Sequence, residues 1–232
     1  MEKQVEIHAY HGWGGDDSFW NPFKEVLPKE IIFKAANRGY FEKPFFPQFE
    51  KDSKVRIVFT HSFGLHWCNT AVLSKADFLV IFNGFGDFHP SNPKQRTYSQ
   101  KGLELTIEQF EKSPRNVLEV FRGHCFSPQE NPTIVPYNIN VEKGLEDLRA
   151  MQSLRFPILD LDFGSTIITV DSGKDKILHE PRGKAMLESH IGRTFHTVFE
   201  EAGHALPFTN PNDCWSYLCS VIPIFRRYEN NS

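Results

Sequence analysis

The sequence predicts an α/β fold: a mostly parallel sheet of about six strands, covered by helices on both faces, with a helical segment inserted after the fourth strand. Three observations predict it. Short runs of β-formers alternate with helix-like segments, the order that builds parallel sheets from strand-helix-strand units. The run FLVIF at 78–82 is apolar throughout, as a strand buried on both faces must be. From Asp87 to about Arg155 strand-like runs vanish and helical spacing takes over. A chain of 232 residues suits one domain with a single core. The expected division is a core of residues 1–86 and 156–232 with a helical cap at 87–155.

Each element follows from local chemistry. Residues 5–10 form a short apolar strand running into His11-Gly-Trp-Gly-Gly15, and 18–27 read as a helix ended by Pro28. Residues 31–36 give a second strand, Asn37-Arg-Gly-Tyr40 its turn, and a Pro- and Phe-rich loop runs on to Phe49. Residues 55–59 are the third strand and 63–73 the helix after it. The fourth strand, 78–82, stops at Asn83-Gly84. In the insertion, TIEQFEKSPRNVLEVF and VEKGLEDLRAMQ carry helical spacing. Residues 166–170, 181–190 and 194–199 then give strand, helix, strand, and 213–225 close with an amphipathic helix. Crossovers in such sheets are right-handed, and ligands bind beyond the carboxyl ends of the strands. That rule selects the loops after Tyr10, Phe59, Phe82, Val170 and Phe199.

A formal charge of −3, with 24% charged and 40% hydrophobic residues, indicates neither general nucleic-acid affinity nor disorder. The four cysteines (Cys68, Cys125, Cys214, Cys219) contain no C-x-x-C pair, and Met1-Glu-Lys-Gln-Val-Glu6 lacks the apolar core of a signal peptide. A reducing cytoplasm is the expectation. Cys214 and Cys219, five residues apart, are turned roughly 140° from each other on a helix, so they pack rather than share a metal. No apolar run reaches membrane-spanning length, and a soluble monomer is expected.

The loops carry the chemistry. Thr60-His61-Ser62-Phe63-Gly64 has the form small-x-Ser-x-Gly, a strand-to-helix elbow that holds a serine exposed in a strained turn. Thr60 is larger than the usual glycine, and alone the serine also reads as an ordinary N-cap. A serine hydroxyl needs a histidine to take its proton, and the histidine an acid to fix its tautomer, in the chain order Ser, acid, His. VDSGKDKIL supplies the acid and EEAGHALPF the base, His204. Asp171 ends its strand more directly. Asp175 lies further out, where it can reach a neighbouring loop, and is preferred. Attack on an ester creates an oxyanion that needs preorganised N–H donors. The backbone N–H groups of Phe63, at the elbow, and Trp13, in the glycine-rich loop, are the candidates. His61 and His66 bracket the serine and are read as packing residues.

Together, HGWGGDDSFW, THSFG, SGKD and GHALPF resemble the α/β-hydrolase superfamily, and within it the biotin-pathway pimeloyl-[acyl-carrier-protein] methyl ester esterases. The oxyanion loop followed by Trp20 is similar to theirs, and VEKGLEDLRAMQ to the last cap helix before the acid-bearing strand. The usual first antiparallel hairpin is reduced, since Val5 begins the strand leading to His11. The resemblance implies Ser62 as nucleophile, His204 as base, Asp175 as its acid, and Trp13 with Phe63 as the oxyanion hole. It also implies substrate contacts from Trp13, Phe121 and Cys125, the last two within Phe121-Arg-Gly-His-Cys125.

The implied reaction is hydrolysis of a carboxylic methyl ester through an acyl-enzyme, without metal or organic cofactor. The implied substrate is pimeloyl-[acyl-carrier protein] methyl ester. Such caps meet the acidic carrier through arginines, and Lys112, Arg115 and Arg122 fall at i, i+3 and i+10 of a helical pattern, with Glu119 on the same face. Phe110, Phe121, Phe126, Tyr98 and Tyr137 suggest an apolar acyl tunnel. A broad short-chain carboxylesterase is the alternative within the class. A menaquinone-pathway lyase with pocket arginines (Arg38, Arg122) and a non-catalytic ligand receptor are the alternatives outside it.

Overall fold

The computed structural model describes residues 4–156, 165–188, 190 and 192–231. Its centre is a six-stranded sheet in the order β2-β1-β3-β4-β5-β6, with every ladder parallel. The strands are β1 (Val5–Tyr10), β2 (Ile32–Ala35), β3 (Val55–His61), β4 (Phe78–Phe82), β5 (Thr166–Ser172) and β6 (Thr194–Phe199). Alternation sorts their side chains between two cores. Ile57, Phe59, Val80 and Phe82 face one side; Val58, Leu79 and Ile81 face the other. Both faces are apolar because both are covered.

Helix boundaries depart from the sequence expectation where a breaker or cap sits inside a periodic segment. The helix expected at 18–27 divides into a 3-10 turn, Asp17–Trp20, capped by Asp16, and α1 (Asn21–Val26), which restarts at Pro22. The helix expected at 63–73 divides into α2 (Gly64–Trp67) and α3 (Thr70–Leu73). Cys68 is extended between them, and the Asn69 side chain accepts from Ala71 N–H to cap the second piece. Between β4 and β5 stand α4 (Pro93–Lys112), α5 (Pro114–Phe126) and α6 (Val141–Met151). Pro114, placed where a first-turn proline needs no N–H partner, starts a separate helix. Lys112 therefore ends α4 while Arg115 and Arg122 lie on α5, and the single helical face expected of the three is split. After β5 come α7 (Gly183–Leu187), shorter than the expected 181–190, and after β6 come α8 (Leu206–Thr209) and α9 (Pro211–Val221). Among the described residues no helix is long and apolar enough to cross a membrane.

Candidate active site

The ladder carries β3 to His61, and Ser62 N–H still donates to Phe82 O at 3.0 Å before the chain turns. Ser62 adopts φ 54°, the left-handed region that a residue with a Cβ enters only under local constraint. The constraint is visible at Gly64, where a Cβ would overlap the Tyr10 carbonyl oxygen at the end of β1. Thr60, the oversized flank, fits because it is a ladder residue, paired with Tyr10 and Ile81 and fully buried.

The glycine-rich loop passes directly beside this elbow. A Cβ on Gly12 would stand 3.0 Å from Ser62 Cβ, which sets the Gly12–Trp13 backbone against the serine. The Trp13 side chain is buried, donates Nε1–H to Gly144 O of α6 at 2.9 Å, and meets Phe110 and Phe121 edge-on. Phe63 is buried at the elbow and stacks on His66, whose Nε2 donates to Phe85 O at 2.8 Å.

His204 Nδ1–H donates to Asp175 Oδ2 at 2.6 Å, and both residues are buried. The other carboxylate oxygen of Asp175 accepts from Ile177 N–H at 2.7 Å and Leu178 N–H at 2.9 Å. Burial works against ionisation of Asp175, but the imidazole and these two amides outweigh it and hold the carboxyl below the usual range. Asp171 behaves in the opposite way. It belongs to β5, accepts from Gly183 N–H at 2.7 Å, and burial together with the nearby Asp175 charge pushes its carboxyl up to about 6. The geometry thus gives His204 to Asp175 and leaves Asp171 holding the start of α7. His204 Nε2 is buried with no hydrogen-bond partner among the described residues, and His204 lines the same cavity as Ser62.

Two positioning residues escape sequence reasoning. Asn83, at φ 45° just beyond β4, donates Nδ2–H to Ser172 Oγ at 2.9 Å and to His204 O at 2.8 Å. Its signal was an Asn-Gly step after a buried strand, legible as a turn but not as a clamp. His61 Nε2–H donates to the same His204 carbonyl at 2.8 Å, while its ring stacks on Phe19 at 4.4 Å. Burial, then the neighbouring His204, keeps the His61 imidazole neutral. With Nε2 spent on that carbonyl, His61 holds the His204 loop and does more than pack.

The cap helices grip the same loops. Arg122 is buried and donates to Gly14 O, next to Trp13, at 3.0 Å, and to Ile134 O and Thr133 Oγ1. Arg115 donates to Val135 O and Pro136 O. Of the expected carrier-facing cations, only Lys112 is exposed. At the end of α5, Cys125 O accepts from Ala205 N–H at 2.8 Å, and a Cβ on Gly203 would overlap the Ser127 carbonyl, so α5 abuts the His204 loop. The Cys125 thiol is pushed up by burial and by the Asp175 charge, which keeps it an inert wall group. Arg38 lines neither cavity described below; it makes a two-point pair with buried Asp147 of α6, which also accepts from Tyr40.

Two cavities, of about 510 and 420 Å³, meet at Ser62, and Trp13 and Phe121 line both. The expected aromatic tunnel is divided between them. Tyr98 lines the first, Phe126 the second, Phe110 is buried behind Trp13, and Tyr137 is 92% exposed. No group of three His, Cys, Asp or Glu residues among those described is placed to hold a metal ion.

The six parallel strands, the cap between β4 and β5 and the loop positions define the α/β-hydrolase fold. Solved structures agree. The chain is similar to an esterase from Exiguobacterium antarcticum, with a TM-score of 0.75 and 15% identity over 96% of this chain and 93% of that one. It is similar to a structure from work on carboxylesterases of the thaumarchaeon Nitrososphaera gargenis, with a TM-score of 0.70 and 13% identity over 97% and 92%. It is also similar to a bromoperoxidase from Bacillus anthracis, with a TM-score of 0.68 and 14% identity over 96% and 92%. No protein-family model and no curated protein matches the sequence.

Proposed function

We propose that this chain is a serine carboxylesterase. The observation that carries the reading is the free, buried Nε2 of His204, in the cavity of an elbow serine, with Nδ1 committed to an ionised Asp175. In that tautomer Nε2 is an acceptor and can take the Ser62 proton as Oγ attacks an ester carbonyl. The oxyanion develops toward the Trp13 and Phe63 amides, each such donor being worth about 3 kcal/mol of barrier. The imidazolium returns its proton to the departing alcohol. Water, deprotonated by the same nitrogen, then releases the acid from Ser62.

The narrowest form of the reading, which rests on sequence resemblance, takes a pimeloyl-[acyl-carrier protein] methyl ester as substrate and releases methanol. The apolar first cavity supports a chain of that length. The cap supports carrier docking less, because Arg115 and Arg122 are committed to carbonyls and Lys112 alone is exposed. The same commitments weigh against the lyase, whose anionic substrate would need Arg38 and Arg122 free.

A fluorophosphonate probe tests the general reading. Ser62 should take the label and Ser62→Ala should not; active-site serine left unlabelled in folded protein refutes the esterase. Complementation of a biotin auxotroph lacking its pimeloyl methyl ester esterase tests the narrow one, with no growth counting against that substrate.

A further inference from the structure

The two cavities at Ser62 are separated by Trp13 and Phe121, whose rings meet edge-on at 4.9 Å. His204 lines the smaller cavity and not the larger. This asymmetry orients an ester. When Ser62 Oγ has bonded to the carbonyl carbon, the bond from that carbon to the alkoxy oxygen breaks, and the proton on Nε2 passes to that oxygen. The leaving oxygen must therefore lie within hydrogen-bond reach of His204. The alcohol departs into the cavity that His204 lines, and the acyl chain occupies the other.

The two chambers differ in their aliphatic share. Leu103, Leu148, Met151, Ile177 and Leu178 line the larger one alongside the rings of Phe85, Phe88 and Tyr98, whereas Ile134 is the one branched aliphatic side chain lining the smaller. The smaller is walled by rings: Phe19 stacked on His61, and Phe126 edge-on to Phe208 at 5.0 Å, with Asp16 and Arg122 beside them. A methyl group would use little of 420 Å³, since a molecule the size of water takes up only about 30 Å³. Aromatic walls favour an aromatic guest through offset and edge-to-face contacts. Resting on the general esterase reading above and departing from its methyl-ester form, we infer that the substrate is an ester of a medium-length aliphatic acid with an apolar, ring-sized alcohol. The larger cavity is the acyl chamber, the smaller the leaving-group chamber, and Trp13 with Phe121 the specificity partition.

The test is a kinetic matrix of the methyl and benzyl esters of acetate and octanoate, read as kcat/KM. Wild type should prefer benzyl octanoate. Gly102 lines the acyl chamber at an exposed position where a Cβ meets nothing within 4 Å, so Gly102→Trp adds bulk at that wall without a clash at Cβ. It should lower the octanoate-to-acetate ratio about tenfold and keep the benzyl-to-methyl ratio within about twofold. Asn21→Trp, at an exposed position lining the other chamber, should do the reverse. Thr106→Phe and Ser18→Phe, from the same two walls, serve if either tryptophan variant fails to fold. Crossed dependence, or equal loss in both ratios, overturns the chamber assignment alone. Absence of Ser62-dependent turnover of all four esters overturns the esterase reading and the assignment with it.

Discussion

The carboxyl edge of the sheet and the cap above it build the site by different physics. Ser62 and Asp175 follow the ends of β3 and β5, and His204 follows β6. Ladder hydrogen bonds fix where each strand stops, so their positions are a consequence of topology. Among the described residues no ladder joins the cap to the sheet. The cap is joined by side-chain hydrogen bonds, Arg122 to Gly14 O, Trp13 to Gly144 O, and Arg38 and Tyr40 to Asp147, and by isolated backbone bonds, Ala205 N–H to Cys125 O and Asn140 N–H to Tyr40 O. The edge carries Ser62, Asp175 and His204, and the cap holds the Trp13 loop and the His204 loop in register.

The sharpest break between the two regions is Ser62→Ala, which should lower kcat on the order of 10⁵-fold or more, with the fold unchanged by circular dichroism. Next is the choice of acid. Asp175→Asn should cost about 10⁴ in kcat, because the amide can no longer fix the His204 tautomer. Asp171→Asn, which keeps an oxygen for Gly183 N–H, should stay within about tenfold of wild type. Equal losses would dissolve the distinction drawn from the 2.6 Å pair.

A smaller effect tests the cap. Arg122→Ala leaves the Gly14 carbonyl without its guanidinium partner, next to the Trp13 amide proposed as an oxyanion donor, and should lower kcat by about tenfold to a hundredfold with little change in KM. The loss should be equal for methyl and benzyl esters; a change confined to benzyl esters would make Arg122 a wall of the pocket only.

The smallest effect lies at the opposite end of the strands. Glu6, fully buried in β1, accepts from His8, Ser53 and Glu50 N–H and pairs with Lys34. Burial opposes its charge, but these donors hold its carboxyl down to about 2. A carboxyl depressed on folding contributes stability above its unfolded value and loses it as pH falls through the folded one. Glu6→Gln should therefore cost about 2 kcal/mol at pH 7. The gap from wild type should narrow between the unfolded value of 4.5 and about pH 2, read by urea denaturation, with kcat unaffected.

Strand positions were legible because period-2 and all-apolar runs depend only on nearest neighbours along the chain: the expected 78–82 and 194–199 coincide with β4 and β6. Helix limits were less legible. Asn69 recapping α3 and Pro114 founding α5 are local signals, but they sit inside segments whose apolar spacing reads as continuous. The elbow, the glycine-rich loop and the loops of Asp175 and His204 were legible because strand ends announce them. Asn83 and His61 were not found as clamps, since each acts on the His204 carbonyl, 121 and 143 residues away.

By itself, then, the sequence determined a parallel α/β sheet, the loops at its carboxyl edge and the candidates Ser62, Asp175, His204, Trp13 and Phe63, because these depend on local periodicity and chain order. Only the tertiary structure decided between Asp171 and Asp175, turned Arg115 and Arg122 inward, and split the space over Ser62 into two chambers. Those outcomes depend on contacts between residues far apart in sequence, where a few ångströms decide whether a charge faces solvent, a carbonyl or the His204 imidazole.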